Sequence, residues 1–227
     1  FDRVLNDIDK SDVNAIFCLG DNVGYGPEPE EVIRLIRNRN IPCIMGNHER
    51  VLADPARIGW FNPIARESLR MTKEMLSDES MNYIRGLEPF MVHHGCRFVH
   101  GFPPDSINTY LFQVSYDRLK QVFKEMDEKI CFVGHTHELE IIGFDGKVFE
   151  HIPIREACVK NLHKERSYII NIGSVGQPRD GNNNAKYVIW NTDDYTVEVK
   201  FIPYDIAGVV NKIIKAGLPK IHAERLW

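Results

Sequence analysis

The sequence predicts an α/β protein: a parallel or mixed core first, several antiparallel strands after it, and two sheets packed face to face with helices outside. Two patterns carry this. Apolar runs at 14–19 and 41–45 flank an amphipathic stretch at 29–38, the strand–helix–strand order of a right-handed crossover. Later, short apolar runs are split by turn residues such as Asp145-Gly146, which mark hairpins. A third pattern concerns ligands. Apolar runs end in Gly20-Asp21-Asn22, Gly46-Asn47-His48-Glu49, His100-Gly101 and Gly134-His135-Thr136-His137. Open α/β sheets bind their ligands at strand carboxyl ends.

Taken in order, residues 1–9 read as a helix, because Phe1, Val4, Leu5 and Ile8 follow i, i+3, i+4, i+7 spacing. No cap and no Met precede them, which leads us to expect about fifteen residues ahead of Phe1, a strand and a loop. Strand 14–19 leads into Gly20 to Pro27, where three glycines and a proline make a tight loop. Helix 29–38 turns Val32, Ile33 and Ile36 inward, and strand 41–45 follows. Residues 51–89 lack strand patterning and read as a helical insert in a single domain spanning 1–227. Its helices run over 63–76 and 77–85, the second capped by Ser77, and Trp60, Phe61 and Asn62 sit at its mouth. A hairpin of 90–93 with 97–100 puts His93 and His94 at the turn and His100 at the other end. Ser115 caps a helix to about Lys129 with Leu119, Val122, Phe123 and Met126 as its stripe. Strand 130–133 carries Gly134 to His137 at its end. Strands follow at 139–144, 148–152, 168–172, 185–191 and 195–202, with a glycine-rich loop at 173–181. Asp205 caps a last helix to about Lys215, stopped by Gly217 and Pro219.

Composition narrows the function. The 227 residues are 43% hydrophobic and 26% charged, ordinary for a globular chain that buries a sizeable core. A net charge of −4 offers no basic footprint for an extended nucleic acid, although a small phosphorylated metabolite remains open. Cysteines 18, 43, 96, 131 and 158 form no close-spaced framework, which points to free thiols in a reducing, cytoplasmic setting. No apolar stretch approaches a membrane span.

The strand ends read as a metal site. In extended backbone, His135 and His137 point the same way and can reach one centre or two adjacent ones. Neutral imidazoles suit zinc, manganese, iron or nickel, and Asp21, Asn47 and His100 leave other strand ends beside glycines that let the chain turn tightly.

These motifs together resemble the calcineurin-like metallophosphoesterase superfamily. Gly24-Tyr25-Gly26-Pro27 and the stretch 171–181 resemble its small bacterial predicted phosphoesterases. The resemblance implies a four-layer αββα sandwich of two mixed sheets and a two-metal centre, with manganese first and iron, zinc or nickel as alternatives. It implies that Asp21 bridges both ions, that Asn47, His100 and His135 complete one site, and that His137 ligates the other. His48 would be general acid or transition-state donor. The family's Asp-x-His motif after an N-terminal strand has no counterpart here, and we expect it ahead of Phe1.

The residue types suit phosphoester hydrolysis. Two ions roughly 3.5–4 Å apart can share a hydroxide and clamp the nonbridging oxygens of an in-line displacement at a mono- or diester. Proton donation by His48 would add roughly 10²–10⁴-fold. Glu49 is read either as an acceptor fixing the His48 ring or as a partner of Arg50. Arg50 and Arg179 could fork onto phosphate, and Tyr25 could stack on a substrate or simply pack its loop. The alternatives are a dinucleoside polyphosphate hydrolase, a Ser/Thr-type phosphoprotein phosphatase, or a catalytically impaired metal- or phosphate-binding module. A metallo-β-lactamase-like site is disfavoured, because His-x-His-x-Asp-His is absent.

Overall fold

Amphipathic spacing and side-chain caps set the helices of the computed structural model, which describes all 227 residues. Helix α1 (Asp2–Ile8) buries Val4, Leu5 and Ile8, and α2 (Pro29–Asn38) opens on a proline and buries Ile33 and Ile36. Next come α3 (Asn47–Ala53), α4 (Pro63–Met75) and α5 (Asp78–Arg85); the caps of the last two, Asn62 and Ser77, accept from Ala65 and Ser80. Strands β1 (Phe90–His93) and β2 (Cys96–Val99) turn through His94 and Gly95, both at positive φ as a two-residue hairpin loop requires. Helix α6 (Tyr116–Glu125), capped by Ser115, feeds β3 (Ile130–Val133). Strands β4 (Leu139–Phe144), β5 (Phe149–Pro153), β6 (Cys158–Asn161), β7 (Ser167–Ile172), β8 (Ala185–Asn191) and β9 (Thr196–Ile202) follow. Helices α7 (Ile206–Lys215) and α8 (Ile221–Glu224) come last.

The strands form an α/β sandwich of two sheets flanked by helices. The six-stranded sheet has the order β1-β2-β3-β7-β4-β5 and is mixed, with β2, β3 and β7 parallel and the others antiparallel. The second sheet is β6-β9-β8, and its ladders are antiparallel. Period-two alternation gives each sheet two apolar faces. Phe98, Phe132, Ile141 and Ile170 of one sheet meet Val197 and Val199 of the other in the central core. Val99, Cys131, Val133 and Ile169 face outward onto Leu119, Val122 and Phe123 of α6. On the far side, Ala185 and Tyr187 of β8 pack on Val4 and Ile8 of α1. The layer order is therefore helix, sheet, sheet, helix. No helix is long and apolar enough to cross a membrane.

Several expectations change in detail. The runs 14–19 and 41–45 are not strands: they meet by one parallel bridge, Cys18 to Cys43, held by Cys18 N–H to Pro42 O and Ile44 N–H to Cys18 O. Each donates and accepts too few ladder bonds to extend further. They still occupy the second layer, with Leu19 and Ile44 in the central core and Cys18 and Cys43 toward α1 and α2. The α6 helix stops at Glu125 rather than near Lys129, because Met126 adopts extended backbone. Helices α3 and α8 and strand β6 had no apolar period to announce them.

Removing the Ile141 side chain, wholly buried between the sheets, tests the sandwich. Urea unfolding of Ile141→Ala should show a loss of about 2–5 kcal/mol. Val159→Ala, at a position 58% exposed on β6, should change stability by less than about 0.5 kcal/mol.

Candidate metal centre

The parallel strands deliver the site. His100 is the first residue past β2 and His135 the second past β3, neighbours in the sheet. Asp21 and Asn47 come from the ends of the extended segments of the other layer. Gly20, at φ +80°, lets these two loops touch: a Cβ there would collide with the backbone of Gly46. Three of the six non-glycine residues at positive φ are Asp21, His135 and His137. That backbone costs energy for ordinary residues, and such outliers gather at functional sites.

The side chains converge on one point. His100 Nε2 lies 3.1 Å from Asp21 Oδ2, 3.2 Å from Asn47 Oδ1 and 3.2 Å from His135 Nδ1. The ligand atoms of Asp21, His100 and His135 all lie within 4.8 Å of one another. Asn47 Oδ1 faces only acceptors; turned over, its amide would donate to Asp21 Oδ2 at 2.9 Å and to His135 Nδ1 at 3.0 Å. A carboxylate, an amide oxygen and two imidazole nitrogens aimed at a common centre fit a divalent cation of the borderline class.

The far nitrogen of each ring is spoken for by the backbone. His100 Nδ1 donates to Leu19 O at 2.6 Å, His135 Nε2 to Asn108 O at 3.2 Å, and His137 Nδ1 to Gln177 O at 2.7 Å. These bonds fix each ring and, in its neutral form, leave a lone pair on the cavity side, as in metal-binding histidines generally. Burial pushes His135 and His137 down to about 3, so both rings are neutral at neutral pH. At Asp21 burial works against the charge, but His100, His48 and the hydrogen bonds they supply outweigh it and hold the carboxyl well below its usual range. For His100 burial is likewise outweighed, by Asp21, and the ring's pKa rises.

Glu49 departs from both expected roles. It neither holds the His48 ring nor pairs with Arg50. Wholly buried, it accepts from the backbone N–H groups of Asp21 (2.8 Å), Asn22 (2.7 Å) and Gly46 (3.1 Å), and so ties the two ligand loops together. Burial, then the nearby Asp21 charge, pushes its carboxyl up to about 7.

His48 stands beside the cluster, its Nε2 3.9 Å from Asp21 Oδ2 and its backbone N–H donating to Asp21 Oδ1 at 3.0 Å. Tyr25 and Phe61 meet the ring edge-on at 4.5 and 5.0 Å, and its Nδ1 is buried against Gly24 without a hydrogen-bond partner. Its Nε2 is therefore the atom toward the metal cluster. A cavity of about 280 Å³ opens above, lined by Asp21, Asn47, His48, His135, His137 and Arg179 among others. The insert supplies one wall through Trp60, Phe61 and Asn62. Arg50 does not line it. His137 reaches the cavity but lies outside the tight Asp21–His100–His135 group. His93 and His94 are exposed at the far hairpin turn.

Three contributors were missed in the sequence. Tyr110 stacks on His135 at 3.9 Å between centroids, and Asn108 anchors that ring through its carbonyl. Their only sequence signal was position, in the aperiodic loop after His100-Gly101. Asn171 is wholly buried and donates to Gly134 O at 3.1 Å and Thr136 Oγ1 at 2.7 Å, bracing the turn that carries both histidines.

Comparison with known proteins places this arrangement in a class. Residues 1–195 match the model of the calcineurin-like phosphoesterase superfamily domain, and the chain belongs to that family. It is 35% identical over 230 residues to an uncharacterised protein of Methanocaldococcus jannaschii, covering 99% of this chain and 90% of that one. It is also similar to a metallophosphoesterase structure from Sphaerobacter thermophilus, with TM-score 0.85, 33% identity, and 99% and 92% of the two chains covered. A protein from Pyrococcus horikoshii shares the fold at TM-score 0.77 and 18% identity, over 100% and 91% of the chains. The Asp–His–His cluster and the family together support a general phosphoesterase activity.

Glu49→Ala would orphan three buried N–H groups at once. Chemical denaturation should show a loss of at least ~3 kcal/mol, and manganese titration should show affinity weakened by roughly 10–100-fold. Arg50→Ala should alter neither by a comparable amount.

Proposed function

We propose that the protein is a divalent-metal-dependent hydrolase of small phosphate mono- or diesters. The observation that carries this reading is the convergence of Asp21, Asn47, His100 and His135, a carboxylate, an amide and two imidazoles, beneath a cavity that Asp21, Asn47 and His135 line. Asp21, Asn47, His100 and His135 would hold one ion, manganese by preference, and Asp21 with His137 would contribute to a second position. Bound divalent ions supply Lewis-acid charge stabilisation for the phosphoryl oxygens and lower the pKa of water.

The chain's own residues supply the rest. His48 is held by two aromatic edges with Nε2 toward the cavity, where it can hydrogen-bond a phosphoryl oxygen or protonate the leaving oxygen. Burial lowers its pKa, with Asp21 opposing. The phosphoryl dianion adds a further negative charge, which favours the imidazolium when a proton donor is needed. Arg179, also on the cavity wall, offers a guanidinium to nonbridging oxygens. Asn47 contributes a neutral ligand, so the site carries fewer negative charges to repel phosphate. The five free cysteines suit a cytoplasmic, reducing location.

Hydrolysis of p-nitrophenyl and bis-p-nitrophenyl phosphate with manganese tests this and separates monoester from diester preference. His48→Ala should keep its metal while turnover falls by about 10²-fold or more. Asp21→Ala should lose metal and turnover together. Full turnover after exhaustive chelation, or an unchanged His48→Ala rate on an alkyl phosphate, would contradict the reading.

A further inference from the structure

The metal cavity continues into a second recess of about 430 Å³ lined by Tyr25, Asn62, Tyr110, Pro178, Arg179 and Arg225. Tyr25, Asn62, Tyr110 and Arg179 line both spaces, so the two form one cleft with the metal ligands at one end and Arg225 at the other. Arg225 follows α8, whose His222 is buried beneath Tyr25 with ring centroids 4.7 Å apart and Nε2 2.6 Å from Ser68 Oγ. That contact fixes both α8 and Tyr25 against α4.

Charge in this end of the cleft has one sign. Arg179 and Arg225 are both exposed, and neither forms an ion pair with any acid, whereas Arg37, Arg39, Arg97 and Arg166 each do. No carboxylate lines the recess, and burial, then the Arg225 charge, pushes His222 down to about 4. On a chain of net charge −4, two unpaired guanidiniums at one cleft end form a local positive field. The rings do not offer a stacking platform: Tyr110 lies between His135 and Phe112, and Tyr25 between His48 and His222. What remains for a ligand is two phenol hydroxyls, an amide and two guanidiniums, the chemistry of an oxyanion site and not of a base pocket.

We propose that the Arg179–Arg225 end of the cleft binds a second, non-reacting phosphoryl group, so that the preferred substrates are small molecules bearing two phosphoryl groups. This rests on the phosphoesterase reading, with the reacting phosphoryl group at the metal end. Arg179 lies between the two ends, and Arg225 contacts only the distal group. Recognition is by charge, so the group joining the two phosphates matters little.

The test uses the manganese-loaded protein and two ligands that differ by one phosphate, adenosine 5′-monophosphate and adenosine 3′,5′-bisphosphate. Calorimetric titration reads binding directly, and inhibition of p-nitrophenyl phosphate hydrolysis reads it again. The bisphosphate should bind more tightly. Arg225→Glu should weaken it by roughly tenfold or more and weaken the monophosphate by less than about twofold. Arg70→Glu, an exposed charge reversal outside the cleft, should shift the two ligands equally and little. Equal weakening of both ligands by Arg225→Glu, no weakening, or the same pattern from Arg70→Glu would overturn the proposal. Because calorimetry needs no turnover, absence of p-nitrophenyl phosphate hydrolysis would sink the phosphoesterase reading while the binding comparison still judges this one.

Discussion

A carboxylate, an amide and two imidazole nitrogens, from Asp21, Asn47, His100 and His135, meet at one point, and the rest of the structure is arranged around it. With the Asn47 oxygen turned inward and the rings neutral, their lone pairs crowd together, which buried polar groups otherwise avoid. A bound cation would resolve it, and the other nitrogen of each ring is already spent on a backbone carbonyl. Leu19, Asn108 and Gln177 hold His100, His135 and His137 respectively, so none of the three rings can turn away. Positive φ at Asp21, His135 and His137 adds backbone strain that only a well-braced surround sustains. Glu49 and Asn171 are that bracing: each is wholly buried, and each spends its polar atoms on the loops that carry ligands.

The sandwich explains why residues far apart in sequence meet. His100 and His135 end neighbouring parallel strands of one sheet, while Asp21 and Asn47 end the paired segments of the other layer. The bond from His100 to Leu19 O joins the two layers at the site itself. Disturbing the packing between sheets therefore disturbs the ligand geometry, and the site is a property of the whole sandwich rather than of one loop.

Much of this was legible in the sequence, for identifiable reasons. The α2 bounds, the Ser77 and Ser115 caps, the hairpin expected at 90–93 with 97–100 (observed one residue earlier in its second strand) and the 185–202 hairpin follow from local periodicity and turn chemistry, which need no tertiary context. The runs 14–19 and 41–45 looked like strands because they are apolar, yet a ladder also needs partners, and here one bridge is all they make. Helix α3 stayed hidden because its first turn is Asn47, His48 and Glu49: a stretch composed of site residues carries no apolar stripe. The ligand candidates were visible as polar residues beside glycines at the ends of apolar runs. Glu49 was misread because adjacency to His48 and Arg50 suggested side-chain partners, whereas it accepts from backbone N–H groups, the local one of Gly46 and those of Asn22 and Asp21, 27 and 28 residues away. Tyr110 and Asn108 carry no motif at all, Asn171 was visible only as the first residue of the 171–181 stretch, and the roles of all three are recognisable only once the strands are laid side by side.

Anomalous scattering from crystals of the protein soaked in manganese tests whether this cluster holds a metal. A peak is expected bonded to Asp21 Oδ2, His100 Nε2, His135 Nδ1 and the side-chain oxygen of Asn47, with the amide oxygen turned inward. A metal site would be contradicted by the absence of a peak at that point, with His100 Nε2 protonated and bonded to Asp21 and the Asn47 NH2 turned toward the carboxylate instead.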